Sequence, residues 1–154
     1  GEPVLGQIPE EEFWGQLPRL RRCCGDRAVL RALHFFEENR RTLMQFRALR
    51  KGRFGEFLSM VRDSGHSSFA SCQNVYCAQE PKVQGLSIAL ALSQQVLEGA
   101  GGAWRMQGGG FAGTIQAFMP RTSLERYRTV METVFGPGCC HLLRLREQGA
   151  VRVI

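Results

Sequence analysis

The order of apolar periodicities along the chain predicts an α+β domain, an antiparallel sheet with helices packed on one face, preceded by an N-terminal helical hairpin. Three observations carry this. Two stretches repeat apolar residues at helical spacing with a glycine stop between them. Two short apolar runs, Ala103–Gln107 and Thr114–Met119, flank a glycine-dense turn too short for anything but an antiparallel return. Beyond a further helix, Gly136-Pro137-Gly138 and Gln148-Gly149 divide the end of the chain into two more strand-like runs. At 154 residues, with 44% apolar and 22% charged content, the chain is large enough for one domain with its own core.

Residues 1–20 read as an irregular lead-in, because Pro3, Pro9 and Pro18 interrupt it and only Phe13-Trp14 offers a helical turn. The first helix is expected over Arg27–Lys51, with Asp26 as capping acceptor and Gly52 as stop. Its apolar stripe is Val29, Leu33, Phe36, Leu43 and Phe46, widened by Ala32, Phe35 and Leu49. A second helix carries Phe54, Phe57, Leu58 and Val61 on one face and ends near Ser64-Gly65. Ser67–Glu80 is polar and reads as ragged helix or loop up to Pro81. Val83–Leu97 is apolar on most sides, so it reads as a buried helix. Thr122 and Glu125 have capping-box spacing before a helix bearing Tyr127, Val130, Met131 and Val134. Cys139–Arg146 and Ala150–Ile154 are expected as the last two strands.

The net charge of +6 comes mostly from arginines crowded into residues 19–53. They are not expected to alternate with the exposed aromatics that single-strand binders use, so they read as a solvated or partner-facing helix surface, and no nucleic-acid partner is expected. The six cysteines include the adjacent pairs Cys23-Cys24 and Cys139-Cys140 but no C-x-x-C, so they read as reduced, mostly buried packing thiols with no metal site. No stretch approaches a membrane span and no signal peptide is visible, which makes a cytoplasmic address the expectation. The chain opens on Gly1 rather than Met, which suggests a piece of a longer protein.

The stretch with the clearest functional signal is Gly108, Gly109, Gly110, Phe111, Ala112 and Gly113, between the two central strands. Four glycines in six positions bring backbone N–H groups within reach of a ligand without side-chain obstruction. Gln107–Met119 resembles the third motif of the GHMP kinases, small-molecule kinases named for galactose, homoserine, mevalonate and phosphomevalonate. In galactokinases the motif reads roughly Arg-Met-Thr-Gly-(Gly/Ala)-Gly-Phe-Gly-Gly. Arg105-Met106 and Gly108–Phe111 match it, while Gln107, Ala112 and Thr114 depart from it. Arg31–Arg41 and Asp63–Ser68 resemble the helix pair that precedes the motif in galactokinases. Glu37, Glu38 and Asp63 are read as solvated helix charges, His34 as a helix-packing histidine with one nitrogen satisfied, and His66 as a surface or capping residue.

The resemblance covers about Arg19–Ile154. It implies a ferredoxin-like sheet and a C-terminal GHMP kinase domain over residues 21–154, partnered by its own N-terminal kinase domain. The sugar-binding signature, the phosphate loop and the family's catalytic aspartate and arginine have no counterpart here. No catalytic residue and no metal ligand is therefore assigned. The implied reaction of the full-length enzyme is ATP- and Mg²⁺-dependent phosphorylation of galactose at the anomeric hydroxyl. The fragment alone is expected to be inactive and to bind neither ATP nor Mg²⁺. A non-catalytic ligand-binding or regulatory α+β module is the alternative.

Overall fold

The computed structural model describes residues 4–111 and 113–144. Within them the chain is α+β. Helices α1 (Glu10–Cys24), α2 (Asp26–Arg50), α3 (Phe54–Ser67) and α4 (Gly85–Leu97) precede strands β1 (Ala103–Gln107) and β2 (Thr114–Phe118), and helix α5 (Leu124–Phe135) follows. The strands pair antiparallel, with Ala103 opposite Phe118 and Gln107 opposite Thr114.

The pleat of this hairpin divides the core in two. Trp104, Met106, Ile115 and Ala117 share one face. Trp104 packs there with Val96 and Leu97 of α4 and with Tyr127 and Met131 of α5, while Met106 packs with Val75 and Leu86. The buried Tyr127 hydroxyl shares a 2.9 Å hydrogen bond with Ser93 Oγ, tying α5 to α4. The opposite face meets α3. Phe118 stacks edge-on against Phe57, with ring centroids 5.4 Å apart. Gly65 sits so close to β1 that a Cβ there would lie 3.0 Å from the Trp104 carbonyl oxygen. Gly65 is therefore a close-approach glycine inside α3 rather than the stop expected from the sequence, and the helix runs on to Ser67.

Several local expectations change. The lead-in is helical from Glu10 onward. Glu10, Glu11 and Glu12 sit at the positive end of the α1 dipole and Arg21 and Arg22 at its negative end. Pro18 lies within the helix on its exposed side, and burial of Phe13 against Phe36, centroids 5.0 Å apart, offsets the lost hydrogen bond. Asp26 does not cap α2. Its carboxylate pairs with Arg21 across the α1–α2 corner at 2.6 Å, and Gly25 with φ +81° makes the corner. No side-chain cap forms at α5 either, because a 3₁₀ turn over Arg121–Ser123 takes the place of the capping box. Leu43, Phe46 and Leu49 of the α2 stripe are exposed, as are Val83, which precedes α4, and Ile88 within it.

Residues 139–144 form no strand, since alternation alone does not make one without a paired neighbour, and Leu142 and Leu143 face solvent. Ala150–Ile154 lies outside the described residues. A ferredoxin-like pattern needs four strands, and the described residues contain two. All six cysteines are free, but Cys23, Cys24 and Cys139 are exposed and the others half-buried, so none fills the core as expected. Among the described residues no helix is long and apolar enough to cross a membrane.

Candidate functional site

The strand register leaves Gly108–Gly113 as the hairpin loop. Its shape depends on positive φ at Gly108 (+75°), Gly110 (+85°) and Phe111 (+63°). The first two suit glycine. Phe111 is held in a conformation that a bulky residue seldom adopts, which needs an external restraint. Asn74 supplies it. The Phe111 N–H donates to the Asn74 carbonyl at 2.6 Å, and Asn74 Nδ2 donates to the Gly109 carbonyl at 3.3 Å. Gly110 is pressed against the same residue. A Cβ at Gly110 would overlap the Asn74 carbonyl oxygen and lie 2.9 Å from its carbon. Gly108 and Gly109 are the reverse case. Both are exposed, and the space a Cβ would occupy is empty at each. The loop is thus pinned on one side and presents bare backbone on the other. Ala112 lies outside the described residues.

Asn74 owes its position to the end of α3. The helix widens into a π turn over Ser68–Cys72, closed by the Gln73 N–H on the Ser68 carbonyl at 2.8 Å. Gln73 then reverses the chain with φ +54°, and Val75, buried at 1% exposure beside Met106, fixes the segment under the hairpin. The polar Ser67–Glu80 sequence carries no periodic signal for this, and Val75 is one of only a few apolar residues in it.

A second group of side chains ties the hairpin to α2 and α3. Glu38 pairs with Arg41, accepts from Ser64 Oγ at 2.8 Å and lies 3.8 Å from Arg105 of β1. Glu37 lies 3.5 Å from Arg41 and accepts from Ser67 Oγ at 3.4 Å. Ser67 Oγ also lies 2.9 Å from His34 Nδ1. The expectation of a solvated helix charge fails for Glu38, whose carboxylate turns inward onto Arg41, Ser64 and Arg105, while Glu37, its side chain 45% exposed, reaches Arg41 and Ser67 from the edge of the group. His34 is the packing histidine expected from sequence, with one nitrogen satisfied, and His66 and Asp63 are exposed. Arg105 stands three residues before Gly108, so the network also fixes where the loop begins.

Burial holds His34 below its ordinary pKa of 6.5, Arg41 and Arg105 add to the effect, and Glu37 opposes it. Burial followed by the Arg41 charge likewise lowers Arg105. For His34 the unfolded chain takes up a proton more readily than the folded one. Stability contributed by neutral His34 is thus complete above pH 6.5 and declines as pH falls from 6.5 through the lower folded value. Urea midpoints measured from pH 7.5 to 5.5 are expected to fall more steeply for the native chain than for His34→Asn, which keeps a hydrogen-bonding group and does not titrate.

No family model matches the chain. A galactokinase of Mannheimia succiniciproducens is 35% identical to it over 134 residues, which is 85% of the chain. Over most of its own length the chain is similar to that galactokinase. It spans about a third of that relative, 32% of its length.

The chemistry that the hairpin loop offers is that of a backbone surface. Gly108–Gly113 contain no ionisable side chain, so the loop can shape, orient and exclude water but cannot move a proton. The side chains of His34, Glu37 and Glu38 are bonded to one another's partners behind the hairpin. Among the described residues no three His, Cys, Asp or Glu side chains are grouped to hold a metal ion.

Proposed function

We propose that this chain is the C-terminal domain of an ATP-dependent sugar kinase that phosphorylates galactose at its anomeric hydroxyl. The domain takes in α1 as well as residues 21–154 and works against an N-terminal kinase domain of the same cytoplasmic polypeptide. The observation that carries the reading is the pinned loop. Gly108 and Gly109 offer open, unobstructed backbone at the position where the sequence resembles a kinase motif, and the identity to a galactokinase runs along most of the chain.

In this reading Gly108–Gly113 form one wall of the sugar and phosphate cleft. Bare glycine backbone fits close approach of a phosphate-bearing ligand, because amides can donate to oxygen without a Cβ in the way. Bound ATP with Mg²⁺ supplies the phosphoryl group, and residues outside this chain hold most of it, since the loop has no side chain for the metal. The residues of this chain position and desolvate. Asn74 keeps the loop from collapsing into the cleft or drifting from it, and the exposed Phe111 ring offers apolar cover against water.

The test is a coupled kinase assay on the full-length protein with ATP, Mg²⁺ and a panel of sugars. Turnover with galactose, and none from the 154-residue chain alone, is the expected result. A folded full-length protein that turns over no sugar, yet binds one, would replace this reading with that of a regulatory sugar-binding module.

A further inference from the structure

Two of the six cysteines converge where the chain leaves α5. The helix ends at Phe135, and Gly136 (φ +92°) and Gly138 (φ +81°) turn the chain around Pro137. Glu132 holds that turn. Its carbonyl accepts from the Gly136 N–H at 3.0 Å, and its carboxylate accepts from the Gly138 N–H and from Arg128, each at 3.2 Å. Cys140 packs against the cluster that holds Trp104, Tyr127 and Met131, while Cys139 faces solvent. With the backbone anchored at Gly138 and the side chain at Cys140, the two thiols meet at 3.9 Å. Cys23 and Cys24, the other adjacent pair, end α1, where successive side chains diverge by about 100°.

The spacing selects a chemistry. An unstrained disulfide has sulfurs about 2.05 Å apart and Cα atoms at least about 4.4 Å apart, whereas adjacent Cα atoms are fixed at about 3.8 Å. Two bonds of about 2.3 Å to one bridging atom instead place the sulfurs about 3.3–4.0 Å apart for bond angles of about 90–120°. The observed 3.9 Å lies inside that range. Burial first, then the Cys139 thiol and the Glu132 carboxylate, push the Cys140 thiol up to about 11, with Arg128 opposing. At neutral pH it is almost entirely protonated, and so slow to displace sulfur from a mixed disulfide. A zinc ion needs further ligands, and among the described residues no third His, Cys, Asp or Glu joins the pair in a group that could hold a metal. We propose that Cys139 and Cys140 form a capture site for a trivalent arsenical, a centre that two thiols alone can hold. In the capture, R–As(OH)2 condenses with the two S–H groups. Two As–S bonds form, two As–OH bonds break, and each departing hydroxide takes a thiol proton as water. No electrons are exchanged, and no free thiolate is required. The site does not depend on the kinase reading.

Titration of the native full-length protein with phenylarsine oxide, which reacts in water as its dihydroxide, tests it by intact mass and peptide mapping. One phenylarsenic group is expected on the peptide that carries Cys139 and Cys140, held against excess monothiol and released by ethanedithiol. Cys139→Ser removes one of the two bonds at an exposed position, so the variant should keep its urea midpoint and bind at least about 100-fold more weakly. Capture that survives Cys139→Ser, or that maps instead to Cys23-Cys24 or to Cys72 and Cys77, overturns the proposal. So does release by monothiol, which marks an adduct on a single sulfur. Urea-unfolded protein is the control for adjacency in sequence. The native fold is expected to bind about 10-fold tighter, because the turn holds the thiols together in advance. Equal affinity would mean that the fold does not make the site, and would overturn the inference. Incubation with glutathione disulfide is the remaining arm. A Cys139–Cys140 disulfide that forms as readily as the arsenical adduct would replace the capture site with a redox switch.

Discussion

Gly110→Ala is expected to dislodge the glycine loop while leaving the helices in place. The added methyl cannot be accommodated by a rotamer change, since what it meets is the backbone of Asn74, and φ +85° is itself unfavourable for alanine. Strain and overpacking together cost about 2–4 kcal/mol if the loop stays where it is. The loop will move before that cost is met in full, which breaks the Phe111–Asn74 hydrogen bond. Amide exchange at Phe111 in this chain is therefore expected to accelerate by on the order of 100-fold, with the amides of α4 and α5 unaffected. In the full-length kinase proposed above, kcat/KM is expected to fall by about 100-fold, the order of penalty for a misplacement of about 1 Å. Asn74→Ala is the companion. It keeps the carbonyl and loses only the side-chain bond to Gly109, so its stability cost should stay near 1 kcal/mol. Equal behaviour of the two variants would mean that the steric contact is not what positions the loop.

Glu38→Ala is expected to be among the most destabilising substitutions of a charged residue in the domain. It leaves Arg41, whose side chain is 15% exposed, and Arg105, 25% exposed, facing each other without their shared carboxylate. Removing one member of a fully buried pair costs about 3–5 kcal/mol, and the partial exposure here lowers the expectation to about 2–3 kcal/mol. Glu56→Ala is the matched comparison. Its partner Arg53 and Glu56 itself are more than half exposed, so the change should stay within about 0.5 kcal/mol. Urea denaturation of the two variants gives the difference directly. A Glu38→Ala chain as stable as Glu56→Ala would mean that the inward carboxylate contributes nothing to holding β1 on α2.

The parts of the fold that were legible in the sequence are those set by local spacing. The bounds of α2, the stop at Gly52 and the two strands around Gly108–Gly113 follow from periodicity and glycine placement, and each lies within a residue or two of its expected position. What was not legible depends on partners far away in the chain. Glu38 looks like a surface charge until Arg105, on a strand after α4, is brought against it. Gly65 looks like a helix terminus until β1 is found to pass over it. Leu43 and Phe46 look like core because their spacing is right, and spacing carries no information about where the covering helix ends. Asn74 had no signal because irregular backbone has no period, yet it is the residue that gives the candidate site its shape.

The π turn at the end of α3 also governs which changes of chain length the domain tolerates. From Ser64, which anchors α3 through Glu38, to Asn74, which anchors the loop, the path is continuous helix and one reversal, with no slack segment between. Each helical residue turns the chain by about 100° and advances it about 1.5 Å. One residue inserted or deleted in this span would swing the Asn74 carbonyl away from Phe111 however well the new residue suits a helix. The irregular run from Cys77 to Gln84 has no such phase to keep and can lengthen freely. Between residues 64 and 74 the count of residues is itself a structural parameter, and the site is sensitive to a frame of reference that point substitutions would never reveal.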